Sequence, residues 1–505
     1  MQKKTRRNFL ACSGIGALGM IATEMSLTGI EQNVNKNNEA NNTYQFTRKI
    51  PVSDTYDLVV AGGGPAGAAA AIAAARLGAK VLLVEASGCL GGTGTTGLVT
   101  AFNSMSNGKE MIVGGLMKEI FETLYHRQFL APGINLEVIK KYMHFWTPFQ
   151  VEGYKLVLDE LVVDAGVQVQ LFTRVIDVDV NVKQGKVNGF ILNNIEGHHY
   201  VKAKAFIDGT GDAYIAKLCG VTCREAGIDT PTIMPPTLCS QVAGVDVKKF
   251  RGVNQTELLF KAIEDGVFSQ KDRHLPGLMP VNTTVGFLNA GHMFNLNALR
   301  CKDLTDGIML GRRLAQEYLN FYKKYVPGCE NMEHVITANM VGIRESRRIL
   351  GEYELNYDDY LARRKFPDQI GVFSNFVDIH IQDTSDDEWK RFREESGRYL
   401  EKGRGSAEYE TGEYHGIPYG ILVPKGGWHN FWVAGRCSSS DVKVHGAIRV
   451  QPACSMMGQA AGTAAVQSIK TGQPANDLDT EMLVQTLRDA GAYLPQATLS
   501  KKMTK

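Results

Sequence analysis

The 505-residue chain has only nine cysteines and no C-x-x-C pair. Apart from Cys12 they are Cys89, Cys219, Cys223, Cys239, Cys301, Cys329, Cys437 and Cys454. Cys219 and Cys223 form the one close pair, and no second pair or histidine follows at ligand spacing, so no zinc, iron–sulfur or other metal site is expected. Disulfide pairing is left open by the spacing. The chain also lacks a charge excess: 55 Lys and Arg against 53 Asp and Glu leave a net charge of +2. That balance gives no reason to expect a nucleic-acid partner or general adhesion to a membrane. Beyond the N-terminus no apolar run approaches the ~20 residues of a bilayer span. No internal repeat is visible. What remains is ordinary apolar content (44%) and enough length for two domains, or one large discontinuous one.

The N-terminus is of another character. Lys3, Lys4, Arg6 and Arg7 precede an apolar, small-residue run, Phe9 to Ala22. Thr5-Arg6-Arg7-Asn8-Phe9-Leu10 resembles a twin-arginine export signal, an address read by a receptor. Residues 1–30 are assigned to that signal and residues 31–50 to a polar, Asn-rich linker. The expected location is outside the cytoplasm, in the periplasm, with no membrane span once the signal is removed.

Tyr56 to Glu85 organises the rest. Asp57 to Ala61 is a short apolar run that reads as a buried parallel strand. Gly62-Gly63-Gly64-Pro65-Ala66-Gly67 fits G-x-G-x-x-G and opens a helix from Pro65 to Leu77, stopped by Gly78. Lys80 to Val84 is a second strand ending at Glu85. In this pattern Gly62 permits the turn, Gly64 lets backbone approach a diphosphate, and Gly67 lets helix and strand pack. The diphosphate rests on the helix N-terminus, and Glu85 is placed for the ribose hydroxyls, which disfavours a 2′-phosphate. FAD and NAD both satisfy this motif.

Further on, Cys89 to Gly97 is glycine-rich with interleaved threonines, suited to a phosphate or a ring edge. Met111 to Phe129 and Gln150 to Ala165 read as amphipathic helices, the first covering the cofactor. Val167–Phe172, Val175–Val182, Val187–Asn193 and Tyr200–Phe206 read as a meander, followed by a buried strand ending in Asp208-Gly209-Thr210-Gly211-Asp212. From about residue 223 to 414 prolines punctuate a more charged and aromatic stretch, with helices at Thr256–Asp265 and Leu310–Tyr325. Gly416–Pro424 and Asn430–Ala434 return to strand character. A polar loop from Cys437 to Pro452 follows, then a helix from Ala453 to Lys470 with a bare face around Gly458 and Gly462, fit to lie against a sheet or a cofactor.

From Asp57 to Gly472 the chain resembles the bacterial FAD-dependent oxidoreductases of the glutathione-reductase type. Its flavin core is similar to that of the flavin-binding component of heterodisulfide reductase. The resemblance rests on VVAGGGPAGAAAA, Glu85 with ASGCLGGTGT, AKAFIDGTGDAYIAKLCG, LGRRLAQEYLNFYKKYVPG, VGIRESRRILGEYEL, IPYGILVPKG and FWVAGRCSSSDVKVHGAIRVQPACSMMGQAAGTAA. It implies an α/β protein: a Rossmann-like FAD-binding domain at 51–222 and 415–475, an inserted α+β substrate domain at 223–414, and a tail at 476–505. It implies noncovalent FAD on Gly62, Gly63, Gly64, Pro65, Ala66, Gly67 and Glu85, with Gly92, Thr93, Thr210, Gly211, Asp212, Gly435 and Arg436 along the diphosphate, ribityl chain or ring. The dense cysteine clusters of heterodisulfide reductase are absent here.

The expected activity is hydride transfer between flavin N5 and a small polar metabolite, a sugar hydroxyl or a carboxylic acid, with an unidentified electron acceptor. His445 is the candidate acid/base, since imidazole titrates near working pH. Arg449 is the candidate for stabilising reduced flavin or a substrate oxyanion, Arg344 for a carboxylate, and His292 for a second substrate-side histidine. Two other readings are a disulfide- or quinone-linked electron-transfer flavoprotein, which needs Cys437 and Cys454 to meet, and a flavin-binding protein without catalysis.

Overall fold

The computed structural model describes residues 44–143, 145–230, 232–393 and 409–495. The twin-arginine-like segment at 1–30, nearly all of the linker and the last part of the tail lie outside the described residues. Residues 44–49, in a separate unit, contain no helix or strand, and residues 50–505 form one compact unit.

The seven-stranded central sheet is built on β1 (Val52–Ala61). Its end alternates between two cores. Leu58 and Val60 face α1 (Pro65–Arg76), and Val59 and Ala61 face the opposite layer. Both faces are covered, so the run is apolar throughout. β2 (Val81–Val84) pairs parallel with β1, and β3 (Gln168–Gln170) pairs parallel with β2 at the edge. The residues expected to begin a meander thus extend the parallel sheet instead. The meander proper is β4 (Arg174–Asn181), β5 (Lys186–Asn194) and β6 (Gly197–Asp208). β6 is one strand with two functions: its first half pairs antiparallel with β5, and its second half runs parallel beside β1 to finish level with it, Ala61 opposite Asp208. β7 (Phe431–Val433) completes the sheet on the far side of β6. Four strands therefore end on one edge, followed by Gly62, Glu85, Gly209 and Ala434. Ligands of open parallel sheets bind at such an edge.

Residues 223–414 supply a second, antiparallel sheet in the order Gly277–Pro280, Gly286–Asn289, Ser240–Ala243 and Glu333–Thr337. The helix beside it runs Cys301–Tyr325, nine residues earlier than its expected start at Leu310, because its first turns are mostly polar and half-exposed. Two further ladders follow, one closing this segment on itself and one joining it to the chain beyond it. Cys223–Glu225 pairs with Arg347–Ile349, and Gln369–Phe373 pairs with His415–Pro418 across the boundary drawn at 414. The strand expected over Gly416–Pro424 stops at Pro418 and becomes a 3-10 turn, Tyr419–Leu422. The loop expected from Cys437 to Pro452 contains a short helix, Val442–Ile448, capped by Asp441.

The last long helix, α2 (Gln451–Thr471), is buried on nearly all sides. Its bare face meets α1. A Cβ on Gly458 would lie 1.9 Å from the Ala66 carbonyl oxygen, and one on Gly462 would lie 2.1 Å from that of Ala70. The helix expected to cover the cofactor (observed Gly115–His126) packs here too, its Leu116 N–H donating to Gln459 Oε1 at 2.9 Å. It contributes nothing to the cavity described below. Among the described residues no helix is long and apolar enough to cross a membrane.

Replacing Gly458 with alanine forces a methyl group into a backbone carbonyl. The expected cost is at least ~1–3 kcal/mol, as for overpacking elsewhere, and thermal denaturation would show it. Unchanged stability would mean that α1 and α2 do not touch as described.

Candidate active site

One cavity of about 1140 Å³ opens where the four strands end. That exceeds the roughly 300–1,000 Å³ of an ordinary small-ligand pocket, leaving room for a dinucleotide and a second molecule. Its wall joins residues from both sheets and from the N-terminus of α2.

The nucleotide end follows from the first turn. Gly62 adopts φ +92°, and a Cβ there would meet the Gly209 carbonyl at 2.7 Å. Gly64 is different. It has φ −67°, open to any residue, and its Cβ would point into empty space. It lines the cavity and caps α1, whose Pro65 lacks an N–H while Ala66 and Gly67 have first-turn N–H groups without helical acceptors. Glycine is therefore kept at 64 to leave room for a ligand, and at 67 for packing, since a Cβ on Gly67 would lie 1.8 Å from the Gly62 carbonyl oxygen. The Glu85 carboxylate accepts from Gly63 N–H (2.6 Å) and Ser87 N–H (2.7 Å), which fixes its orientation at the cavity wall. Gly63 and Gly67 are the two expected cofactor residues that do not line the cavity; they shape the turn from behind.

The second crossing is organised by Asp208, which is fully buried. It accepts from Thr210 N–H (3.0 Å), Thr210 Oγ1–H (2.6 Å) and Ala216 N–H (3.0 Å). Burial pushes its carboxyl up, against those donors. The turn it holds presents Thr210, Gly211 and Asp212 to the cavity. Asp212 is bound by Arg436 Nη2 at 2.5 Å and by the Ser346 hydroxyl at 2.6 Å, so the arginine expected near the diphosphate is already anchored. Gly92, Thr93, Gly435 and Gln451 complete this wall. Gln451 Oε1 and Arg449 Nε are buried without a partner among the described residues. Open space over Gly64, free first-turn N–H groups and the unpartnered Gln451 Oε1 on one wall fit a diphosphate-bearing flavin dinucleotide.

The far wall comes from the second sheet and from residues 376–392. Arg344 donates to the Pro235 carbonyl (2.5 Å) and to Thr237 Oγ1 (3.1 Å). Burial, with Arg449 nearby, pushes its guanidinium down to about 10. Arg449 Nη2 binds the Asp378 carboxylate at 2.7 Å. Burial opposes charge on Asp378, yet His380, Arg449 and Arg344 hold its carboxyl well below the usual range. Beside these stand His274 and His380, with Trp146, Phe376, Trp389 and Phe392 as apolar lining. His292 lies fully buried behind them, its Nδ1 2.8 Å from Asp272 and its Nε2 2.8 Å from His380 Nδ1. Burial, then His292, pushes His274 down to about 3.

One expectation needs correction, and a second rests on local spacing alone. His445 does not line the cavity. It sits on the helix Val442–Ile448, 1% exposed, with Nε2 3.0 Å from the Arg436 carbonyl oxygen. Burial and three nearby arginines hold it neutral, so it is not placed to exchange a proton with a cavity ligand. The expectation of no metal-ligand group tested only local spacing. Among the described residues His274, His292 and His380 bring one ligand atom each within 4.8 Å of one another. These histidines, with Asp272 and Asp378, were missed apart from His292; the only local hint was Asp378-Ile379-His380, which reads like any polar loop. All eight described cysteines are free, and burial raises the Cys437 thiol well above its usual range and Cys454 to about 12, the reverse of a redox thiolate.

Gly64→Val should fold with a near-native melting temperature, since its side chain enters open space, yet purify colourless because that space is the diphosphate's. A yellow variant would place the diphosphate elsewhere. Glu85→Ala should weaken FAD binding by about 1.5–3 kcal/mol, measured by flavin fluorescence titration.

The chain is similar to several known proteins. The chain is 56% identical over 48 residues to a dihydrolipoyl dehydrogenase of Trypanosoma brucei brucei, covering 10% of each protein. It is 26% identical over 205 residues to a digeranylgeranylglycerophospholipid reductase of Methanopyrus kandleri, covering 38% of this chain and 46% of that one. It thus spans between a tenth and just under half of the length of these curated relatives. Among solved structures, a geranylgeranyl bacteriochlorophyll reductase-like protein from Thermoplasma acidophilum aligns at TM-score 0.42 and 13% identity, over 86% of this chain and 83% of that one. A flavin-dependent brominase aligns at TM-score 0.44 and 14% identity, over 86% and 83%. The model of the FAD dependent oxidoreductase family matches residues 57–488, most of the chain, and the protein belongs to that family.

Proposed function

We propose that this FAD-dependent oxidoreductase acts on a carbon–oxygen centre of a small carboxylate-bearing metabolite. The supporting observation is the pair of cations on the far wall. Arg344 and Arg449 are both largely buried there, close enough for each to oppose the other's charge, and of the two only Arg449 is hydrogen-bonded to Asp378. Arg449 Nε has no acceptor among the described residues. A buried cation without full compensation is costly, and a substrate carboxylate supplies what is missing with charge-assisted bonds. A neutral sugar does not.

Bound FAD supplies hydride transfer at N5. The chain's own residues do the rest. Gly62, Gly64, Ala66 and Thr210 bind the nucleotide through backbone, Arg344 and Arg449 orient the carboxylate, and Trp146, Phe376 and Trp389 exclude water from the reacting end. His274 and His380 stand where the substrate's oxygen is to be placed. We also propose that the protein is exported already folded and loaded with its cofactor, on the strength of Thr5-Arg6-Arg7-Asn8-Phe9-Leu10.

Anaerobic bleaching of the yellow band against panels of hydroxy acids and neutral sugars tests the reading. Hydroxy acids should bleach it, and Arg344→Met should raise the KM for the active acid by about 10–100-fold, from a lost charged hydrogen bond, with FAD still bound. Bleaching by neutral sugars alone would overturn the carboxylate assignment. For export, Arg6→Lys with Arg7→Lys should leave the protein in the cytoplasmic fraction.

A further inference from the structure

We propose that His274, His292 and His380 form a binding site for one divalent first-row transition-metal ion, with its open coordination position facing the cavity.

The geometry comes first. The three ring centroids form a nearly regular triangle, with His274 5.1 Å from His292, His274 4.6 Å from His380, and His292 5.0 Å from His380. A metal ion at ~2.0–2.1 Å from each of three imidazole nitrogens in tetrahedral array separates the ring centres by ~5 Å. The triangle has that size already. One ligand atom from each ring lies within 4.8 Å of the others, against the ~3.3 Å between donors on one tetrahedral ion.

The hydrogen bonds point the same way. His292 turns Nδ1 to Asp272 at 2.8 Å, and His380 turns Nε2 to Asp378 at 3.3 Å. Each carboxylate contact takes one N–H from its ring, leaving the other nitrogen, His292 Nε2 and His380 Nδ1, as a lone pair. Those two nitrogens face each other at 2.8 Å. A proton shared between the two nitrogens satisfies that contact, and a bound metal ion would take the proton's place. Carboxylates behind ligating histidines are the usual outer support of a metal site. His274 adds the third donor: its Nδ1 is buried and has no hydrogen-bond partner among the described residues. Its main-chain N–H donates to Asp272 Oδ1 at 3.1 Å, so the same carboxylate positions two of the three rings.

Three neutral nitrogen donors suit zinc, iron, copper or nickel rather than calcium or magnesium. A set of three protein ligands with one position free is the catalytic type. His274 and His380 line the cavity while His292 lies behind, so the free position faces the space beside Arg449. An ion there would hold an oxygen of the bound molecule as a Lewis acid. The proposal is independent of which substrate the flavin serves.

The test uses the FAD-loaded full chain, stripped with a chelator and titrated with zinc sulfate by calorimetry, with metal content after desalting read by mass spectrometry. One equivalent should be retained, and zinc should raise the melting temperature. His274→Gln leaves the Asp272–His292–His380–Asp378 chain intact and has no Nδ1 bond to lose. It should keep its yellow colour and its chelator-treated melting temperature but lose zinc affinity at least ~10-fold, and Asp272→Asn should lose about 10–100-fold. Should Asp272→Asn fail to fold, His274→Gln decides alone. Wild-type protein that retains no metal, or His274→Gln binding zinc as tightly as wild type, overturns the site.

Discussion

The contact between two helix backbones sets the geometry of everything else. Gly458 lies against the Ala66 carbonyl and Gly462 against that of Ala70, so the two helices run in the same direction with their numbering in step. Parallel packing at that distance puts both N-termini at one edge of the sheet. Gly64 opens one helix and Val450 the other, and both line the cavity. Two sets of free N–H groups and two positive dipole ends then face one volume. No side chain has to carry that charge. The alanines of PAGAAAAIAAAR and the small residues of the later helix follow from the same need, since larger residues would push the helices apart and separate their N-termini.

This explains why the nucleotide half was legible in the sequence. A phosphate cradle made of backbone can be built in few ways, and each demands glycine at fixed positions within one short stretch. Gly62, Gly64, Gly67 and Glu85 fall where the βαβ turn requires them, and Asp208 to Asp212 repeats the device at a second strand end. The errors were local. Val167–Phe172 alternates no differently from a meander strand, and only tertiary pairing with Val81–Val84 makes it the edge of the parallel sheet. The helix Gly115–His126 is amphipathic toward another helix rather than toward a ligand, and periodicity does not say what covers an apolar face.

The far wall was illegible for a different reason. Asp272 and His274 come from the stretch before the second sheet's first long ladder, His292 follows that ladder, and Asp378 and His380 follow the strand Gln369–Phe373. Their meeting depends on two sheets being closed against each other, with no motif to announce it. His445 misled by the opposite route. It lies close in sequence to Gly435 and Arg436, which do line the cavity, but one helical turn carries its ring behind the wall to the Arg436 carbonyl.

The two halves of the cavity thus solve one electrostatic problem differently. The nucleotide end meets negative charge with dipoles, which need no counter-ion when the ligand is absent. The far end meets it with whole charges, which do. Arg449 answers Asp378, and His292 holds the Asp272 carboxyl below its usual range against the pull of burial. Among the described residues Arg344 has only a carbonyl and a hydroxyl as hydrogen-bond acceptors, and burial together with Arg449 lowers its affinity for its proton. Guanidinium keeps its charge even so, and Arg344 has no hydrogen-bonded carboxylate among the described residues. Under the function proposed above, this is the charge that the substrate carboxylate meets, before any particular shape is recognised.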